Sequence, residues 1–218
     1  MNDSRTNILS AIRSSLIEGE QRSEAVLHEL KERLYRTQPV LQPSFEDELI
    51  ERFCDKHVGV HGTFERITSI GAIVGAFERY LRCYSLTSNI LVGVGKMLDL
   101  VEWPESWQVD RRPAVVSDRV TVSEAFAGIA ETGTLVFLQS PQAPTSHLFL
   151  AEDHLVVLDT TKIVKYQEEV WRRLRSEVSK FPRTVNFITG PSKTGDVEQT
   201  IEYGAHGPRR LHLLLVDN

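Results

Sequence analysis

The sequence predicts an α/β protein with a doubly wound, mostly parallel sheet, helices on both faces of that sheet, and an N-terminal helical arm. Short apolar runs recur in the second half, at 134–138, 154–158, 184–188 and 211–216, and an earlier one lies at 90–94. Strands that are apolar on both faces are typical of a parallel sheet covered on both sides. Right-handed crossovers between such strands then predict the doubly wound topology.

The chain of 218 residues divides into a helical arm over 1–43 and an α/β domain over 44–218. In the arm, apolar residues recur every three or four positions over 8–16 and 26–34, which is the helical spacing. Proline residues at 39 and 43 end this pattern. The remaining length is sufficient for one domain with a full apolar core.

In the first half of the domain, helical and strand patterns alternate. Apolar residues on one face predict helices over 45–53 and 73–81. Short apolar runs predict strands over 57–60, 90–94 and 114–116.

The second half has clearer boundaries. Apolar spacing predicts a helix over 122–130 and a longer one over 162–180, which places Trp171 and Leu174 on its buried side. After the strand at 184–188, a loop rich in glycine, proline, serine and threonine leads to a short helix over 197–203. The final strand completes the predicted sheet.

Charge and composition exclude several classes of protein. The formal net charge is -5, whereas a nucleic-acid binder needs a basic face to neutralise phosphates. The two cysteines, Cys54 and Cys83, lie far apart, and no histidine or cysteine spacing predicts a metal site. No run approaches the ~20 apolar residues that span a bilayer, and the N-terminus lacks the apolar core of a signal peptide. The sequence therefore predicts a cytoplasmic protein without a membrane span.

The first polar motif lies where a predicted helix meets a predicted strand. Glu131, Thr132, Gly133 and Thr134 place a carboxylate, two hydroxyls and a glycine at this junction. Glu131 could act there as a nucleophile or base, and the other three could hold a polar ligand. A helix terminus ended by Gly133 accounts for the same residues, and the pattern alone favours it.

The second polar motif follows the next-to-last predicted strand. Gly190, Ser192, Lys193, Thr194 and Asp196 lie between this strand and a predicted helix. Backbone N–H groups at a helix N-terminus, together with these side chains, would bind a phosphate or carboxylate. Neither a Walker A pattern nor GxGxxG is present. Thr194 or Asp196 could equally cap the helix, and the two interpretations are compatible.

The third polar motif comes directly before the last strand. His206, Arg209 and Arg210 lie there among glycines that permit tight turns. Arginine binds carboxylates and phosphates through two parallel hydrogen bonds, which makes these residues candidate anion ligands. Pairing of the arginines with surface acidic residues is the alternative, and the pattern alone favours it.

Taken in chain order, four stretches resemble the LutC/YkgG branch of the LUD domain family. They are VSEAFAGIAETGTL at 122–135, PTSHLFL at 144–150, HLVVL at 154–158, and the segment 190–212 with GPSKTGDVE and GAHGPRRLH. The last segment is the most specific. The resemblance covers the α/β domain and not the arm.

The resemblance implies a fold like that of NagB, RpiA and the CoA transferases. It also implies a component of an L-lactate utilization system, which oxidises L-lactate to pyruvate together with LutA-like and LutB-like iron–sulfur proteins. No cofactor is expected in this chain, because it lacks the cysteines that bind clusters in larger relatives; the clusters are expected in the partners. The residues of the three motifs match signature positions of the family, for which the resemblance implies no settled catalytic residue.

Two hypotheses of function follow. In the first, the chain is a non-redox subunit or accessory of a lactate-oxidising complex. Its loops over 190–210 would form an anion pocket at the carboxyl edge of the sheet, for L-lactate or another small anionic metabolite. In the second, which rests on fold analogy, it is a stand-alone enzyme for a phosphorylated or CoA-linked metabolite, with Glu131 as nucleophile or base.

Overall fold

The computed structural model describes residues 3–18, 24–35, 42–195 and 201–217. Its contacts divide the chain into two units, 1–44 and 45–218. The first unit holds the helices α1 (Asp3–Glu18) and α2 (Glu24–Tyr35), which confirms the helical spacing predicted for this part of the chain. None of the described helices is long and apolar enough to cross a membrane.

The described part of the second unit holds four α-helices and twelve strands. The helices are α3 (Leu49–Gly59), α4 (Ile73–Cys83), α5 (Ser146–Phe149) and α6 (Gln167–Glu177). The strands are β1 (Thr63–Ile67), β2 (Asn89–Val92), β3 (Gln108–Asp110), β4 (Val120–Glu124), β5 (Ala127–Ile129), β6 (Thr134–Leu138), β7 (Asp153–Asp159), β8 (Ile163–Val164), β9 (Val185–Ile188), β10 (Lys193–Thr194), β11 (Glu202–Tyr203) and β12 (Arg210–Val216).

Six strands form a parallel sheet in the order β1-β12-β7-β4-β2-β3. β7 and β12 lie inside the sheet, and their apolar side chains are buried on both faces, as expected for interior strands of a parallel sheet. β1 lies at one edge and is largely exposed. The predicted α/β architecture with a mostly parallel sheet is confirmed.

Alternate residues of the interior strands face opposite sides of this sheet. On one side, Leu155 of β7 belongs to a core with Phe77 of α4. On the other side, Val156 belongs to a core with Phe53 of α3 and Leu135 of β6. Helices therefore cover both faces, and α3 shares its face with strands of a second sheet.

The second sheet was not predicted. It has four strands in the order β8-β5-β6-β9, with β6 antiparallel to both of its neighbours. The helix predicted over 122–130 is wrong, because these residues form β4 and β5. Val120, Thr121 and Val122 are buried, and β4 pairs with both β2 and β7, so β-branched side chains and two strand partners override the helical spacing.

Two shorter predicted strands are also wrong. The strand predicted at His57–Val60 belongs to the last turn of α3 and the residue after it, because the apolar spacing from Phe53 to His57 continues the helix. The Glu48 side chain caps this helix by accepting from the N–H of Glu51 at 2.9 Å. The strand predicted at 114–116 is a loop, in which Val116 is 84% exposed.

The last two predicted helices differ from the structure in their extent or type. The helix predicted over 162–180 is confirmed for α6, while Ile163–Val164 form β8 instead. Of the helix predicted over 197–203, Glu202–Tyr203 form β11, which pairs with β10. Residues 197–200 lie outside the described residues.

Candidate functional site

Two of the three polar motifs pack against the C-terminal end of α3. Gly133 and Gly190 both have a left-handed backbone, with φ of 69° and 76°. A Cβ atom on Gly133 would lie 2.5 Å from the backbone nitrogen of His57, and one on Gly190 would lie 2.5 Å from the carbonyl oxygen of Val60. Only glycine permits this conformation together with such a close approach. The two glycines thus bring the turn before β6 next to the segment after β9.

A chain of hydroxyl groups joins the same two motifs. The Oγ1 atoms of Thr132 and Thr134 are 2.6 Å apart, and those of Thr134 and Thr189 are 2.7 Å apart. Thr134 is buried, whereas Thr132 and Thr189 are exposed. The predicted hydroxyl pair of the first motif therefore connects to the second motif.

Backbone hydrogen bonds hold the second motif to the third. The N–H of Ser192 donates to the carbonyl of Pro208 at 2.8 Å, and the N–H of Gly204 donates to the carbonyl of Ser192 at 3.1 Å. The N–H of His206 donates to the Ser192 hydroxyl at 3.4 Å. Loops that are apart in the sequence are thereby fixed side by side.

A cavity of about 310 Å³ lies between these two loops. Gly190, Ser192, Lys193 and His206 line it, so the structure brings four predicted residues together. Other lining residues are mostly apolar, such as Phe149, Phe187 and Leu211. An apolar lining with a few convergent polar groups is typical of small-molecule sites. We call this space the loop cavity.

His154, the second residue of β7, is a lining residue of the loop cavity that sequence reasoning did not select. Its side chain is fully buried, and neither ring nitrogen has a hydrogen-bond partner among the described residues. Burial lowers the pKa of His154 from its ordinary 6.5 to about 3, and nearby His147 adds to this effect. The ring is therefore neutral at pH 7, with one donor and one acceptor nitrogen, both of them buried.

This burial predicts a pH-dependent stability. Below pH 6.5 the unfolded state binds a proton at residue 154, whereas the folded state binds it only near pH 3. The free energy of unfolding therefore decreases as the pH falls through this window. The contribution of one such group is at most about 1.4 kcal/mol per pH unit. We expect His154→Phe to lose this contribution and to show a shallower slope between pH 6.5 and 4, measured by urea unfolding.

His206→Phe is the matched control, because His206 is exposed. Its slope should equal that of the unsubstituted protein. Parallel curves for His154→Phe and the unsubstituted protein would contradict the assignment of a neutral, buried ring.

The remaining predicted ligands that the structure describes lie outside the loop cavity. Arg209 is exposed and lines an adjoining, more open cleft of about 680 Å³. The guanidinium of Arg210 is bonded to the Asp153 carboxylate and lines neither space. Thr194 lies in β10 and also lines neither of them. Asp196 lies outside the described residues.

Glu131, the predicted nucleophile or base, is half-buried in the turn between β5 and β6. Its backbone N–H donates to the carbonyl of Lys165 at 3.1 Å. Its side chain lines neither the loop cavity nor the adjoining cleft. The helix terminus expected there is instead the turn of an antiparallel hairpin, in which Gly133 supplies the left-handed residue.

The loop cavity lies at the amino edge of the six-stranded sheet, so the predicted carboxyl-edge location is wrong. His154 and Leu211, the second residues of β7 and β12, both line it. The prediction failed because Ile188 ends a strand of the second sheet, while Pro208 comes just before β12. The N-terminus of the helix predicted over 197–203 lies outside the described residues, and Lys193 and Thr194 before it form a strand.

The loop cavity is completed by Phe149, Phe187 and His154, and none of these residues belongs to one of the three polar motifs. The signal for His154 was a polar residue at the start of an apolar strand, HLVVL. Phe149 and Phe187 had no signal of their own. Within the described ranges, no three His, Cys, Asp or Glu side chains cluster as metal ligands would.

Comparisons with known proteins bear on this site. The lactate utilization protein C of Shouchella clausii is 24% identical over 202 residues, which cover 84% of this chain and 87% of that protein. The protein of the same name from Halalkalibacterium halodurans is 24% identical over 229 residues, covering 91% and 99%. An uncharacterized protein of Neisseria meningitidis is 37% identical over 94 residues, which span only 43% of this chain and 40% of that protein.

A solved structure and a family model agree with these relatives. The crystal structure of a DUF162 family protein from Deinococcus radiodurans superposes with a TM-score of 0.60 at 16% identity, over 80% of this chain and 99% of that one. This likeness shows the fold. The model of the LUD domain matches residues 80–216, which include all three polar motifs. The resemblance predicted from the sequence is confirmed, and the chain belongs to the LUD domain family.

Proposed function

We propose that this chain is a non-redox component of an L-lactate utilization system and that its loop cavity binds the carboxylate of L-lactate or a similar small anion. Relatives called lactate utilization protein C, aligned over most of both chains, support the pathway. The observation that carries the site is the loop cavity, which the family's signature loops form around Ser192, Lys193 and the buried ring of His154.

The polar groups of the loop cavity suit a carboxylate with a small apolar body. Lys193 is exposed at the loop and supplies a positive charge. The Ser192 hydroxyl accepts from His206, which leaves its own hydrogen free to donate. The neutral ring of His154 belongs to the wall of the cavity, but both of its nitrogens are buried. Phe149 and Phe187 offer apolar surface for a methyl group.

The oxidation itself is assigned to partners in this proposal. The chain has two cysteines, whereas an iron–sulfur cluster is held by four ligands, in most proteins cysteine thiolates. Cys54 is buried, and burial raises its pKa to about 11, so it remains a protonated thiol at neutral pH. We therefore propose that LutA-like and LutB-like iron–sulfur proteins take the electrons when L-lactate becomes pyruvate, and that this chain holds no cluster.

Binding of L-lactate to the purified chain tests the site. We expect Lys193→Gln to raise the dissociation constant about tenfold, because a charge-assisted hydrogen bond contributes about 1.5–3 kcal/mol. Titration calorimetry measures the constant. Lys180→Gln is the control, since Lys180 is exposed on a different segment of the chain. No measurable binding by the unsubstituted chain, or equal constants for the two variants, would refute the site.

The pathway needs a separate test. A tagged copy would be purified from its own host grown on L-lactate and assayed for lactate-dependent dye reduction. Co-purification of cysteine-rich partners together with activity is the expected result. A protein that is recovered alone and inactive under conditions in which the host consumes lactate would contradict the assigned partners.

A further inference from the structure

A second crevice lies at the opposite edge of the six-stranded sheet. β2 and β4 are neighbours in this sheet. From β2 the chain continues to β3 on one side, and from β4 it continues through the second sheet to β7 on the other side. Connections that leave in opposite directions open a crevice at the carboxyl ends of the two strands, where open α/β sheets bind ligands.

A small pocket occupies this crevice, and we call it the switch-point pocket. Gly93 follows β2, Ser123 and Glu124 end β4, and Gln139 and His147 are among the residues that close the pocket. Its volume is about 20 Å³. That is room for one water-sized group, so the pocket would enclose one functional group of a ligand rather than a whole metabolite.

Nδ1 of His147 lies beside Gly93 of this pocket, where an added Cβ on Gly93 would be 3.5 Å from it. The His147 side chain is 2% exposed, and its Nε2 atom lies 2.7 Å from the carbonyl oxygen of Arg112. A carbonyl oxygen can only accept, so Nε2 carries the proton and donates. In the neutral ring Nδ1 then holds a lone pair, and it has no partner in the part of the chain that the structure describes. The Thr121 hydroxyl fixes the backbone by donating to the His147 carbonyl at 2.7 Å.

A second acceptor lines the same pocket. The Glu124 carboxylate accepts the backbone N–H groups of Met97 at 2.8 Å and Leu98 at 3.3 Å, which holds the turn after β2 in place. An anionic ligand would meet this carboxylate and the lone pair of His147, and both repel it. The switch-point pocket is therefore chemically opposite to the loop cavity.

We propose that the switch-point pocket is a second ligand site, which takes a hydrogen-bond donor of a small molecule, a hydroxyl or an ammonium group, on Nδ1 of His147 with Glu124 as the second acceptor. The proposal does not depend on the lactate assignment, because His147 and Glu124 do not line the loop cavity, although Leu148 borders both spaces. It accounts for a buried imidazole nitrogen that would otherwise lack a partner.

Gly93→Ala provides the test variant. Its added Cβ would lie 3.5 Å from Nδ1 of His147 and 3.4 Å from the carbonyl oxygen of Val122. Both are ordinary van der Waals distances, so the fold should accommodate a methyl group that fills the pocket. Gly59→Ala is the matched control, because a Cβ there would meet nothing within 4 Å.

The measurement is the ¹⁵N spectrum of the histidine-labelled full chain, with the His147 signals assigned by their loss in His147→Gln. Ethylene glycol, ammonium chloride and acetonitrile serve as probes, and sodium chloride controls for ionic strength. We expect a saturable shift of the His147 signals with a donor probe in the unsubstituted chain and in Gly59→Ala. The affinity should fall at least tenfold in Gly93→Ala. Acetonitrile accepts but does not donate, so it should cause no saturable shift.

The probes also separate the two kinds of donor. A response to glycol alone assigns a hydroxyl ligand, and a response to ammonium alone assigns an amine. The proposal is overturned if neither donor gives a saturable shift, if acetonitrile acts as strongly as the donors, or if Gly93→Ala binds them as the unsubstituted chain does.

Discussion

Asp153→Ala should lower the free energy of unfolding by about 3–5 kcal/mol, because it leaves a charge and a hydroxyl without their buried partner. Asp153 is fully buried at the start of β7. Arg210, at the start of β12, binds it through two hydrogen bonds, of which Nη2 to Oδ2 measures 2.8 Å. The Tyr80 hydroxyl donates to Oδ1 at 2.9 Å. This carboxylate therefore joins two strands of the sheet to α4.

An exposed ion pair provides the control. Asp99 and Arg111 are 2.9 Å apart, but their side chains are 48% and 39% exposed. Asp99→Ala should cost less than about 1 kcal/mol, as is usual for solvated pairs. Chemical unfolding of both variants gives the two free energies. A loss at Asp153 no larger than the loss at Asp99 would mean that the buried network does not stabilise the fold.

The same network explains why the prediction of Arg210 as an anion ligand fails: its guanidinium already binds Asp153. Its partner lies 57 positions earlier in the sequence, and pairing of β12 with β7 alone brings the two residues together. The local sequence shows an arginine at the start of a strand. It does not show that the neighbouring strand begins with a buried carboxylate. Arg209, the preceding residue, stays exposed and lines the adjoining cleft instead.

The interior of the six-stranded sheet could be predicted because its strands have a recognisable pattern in the local sequence. Apart from their charged terminal residues and one histidine each, β7 and β12 are apolar, which is typical of a strand buried on both faces. The second sheet has no comparable signal. It depends on pairs such as Leu135 with Ile188, which are distant in sequence. It also depends on Gly128, where a Cβ would lie 2.9 Å from the Phe53 ring.

The candidate site was predictable to a similar extent. The signature stretches were recognised, and Gly190, Ser192, Lys193 and His206 do line one cavity. The edge of the sheet at which that cavity lies follows from strand directions, which the sequence does not contain. The missing hydrogen-bond partners of His154 among the described residues can be seen only in three dimensions.

Gly133→Ala should lower the free energy of unfolding by on the order of 3 kcal/mol, because the alanine would be strained in conformation and in contact. The backbone at this position is left-handed, with φ of 69°. The added Cβ would also lie 2.5 Å from the backbone nitrogen of His57 and 2.6 Å from the carbonyl carbon of Lys56. Helix backbone cannot move aside as a flexible side chain can.

Gly133→Asn separates these two causes. Asparagine tolerates a left-handed backbone but keeps the Cβ atom, so it should recover only the conformational part of the loss. Gly59→Ala, where a Cβ meets nothing within 4 Å, should not destabilise the chain. If asparagine restored full stability, contact with α3 would be irrelevant to the turn. If Gly133→Ala and Gly133→Asn both lose stability, the close contact with α3 holds the turn in place. That same fit sets the distance from Thr134 to Thr189, and so the position of the loop that carries Lys193.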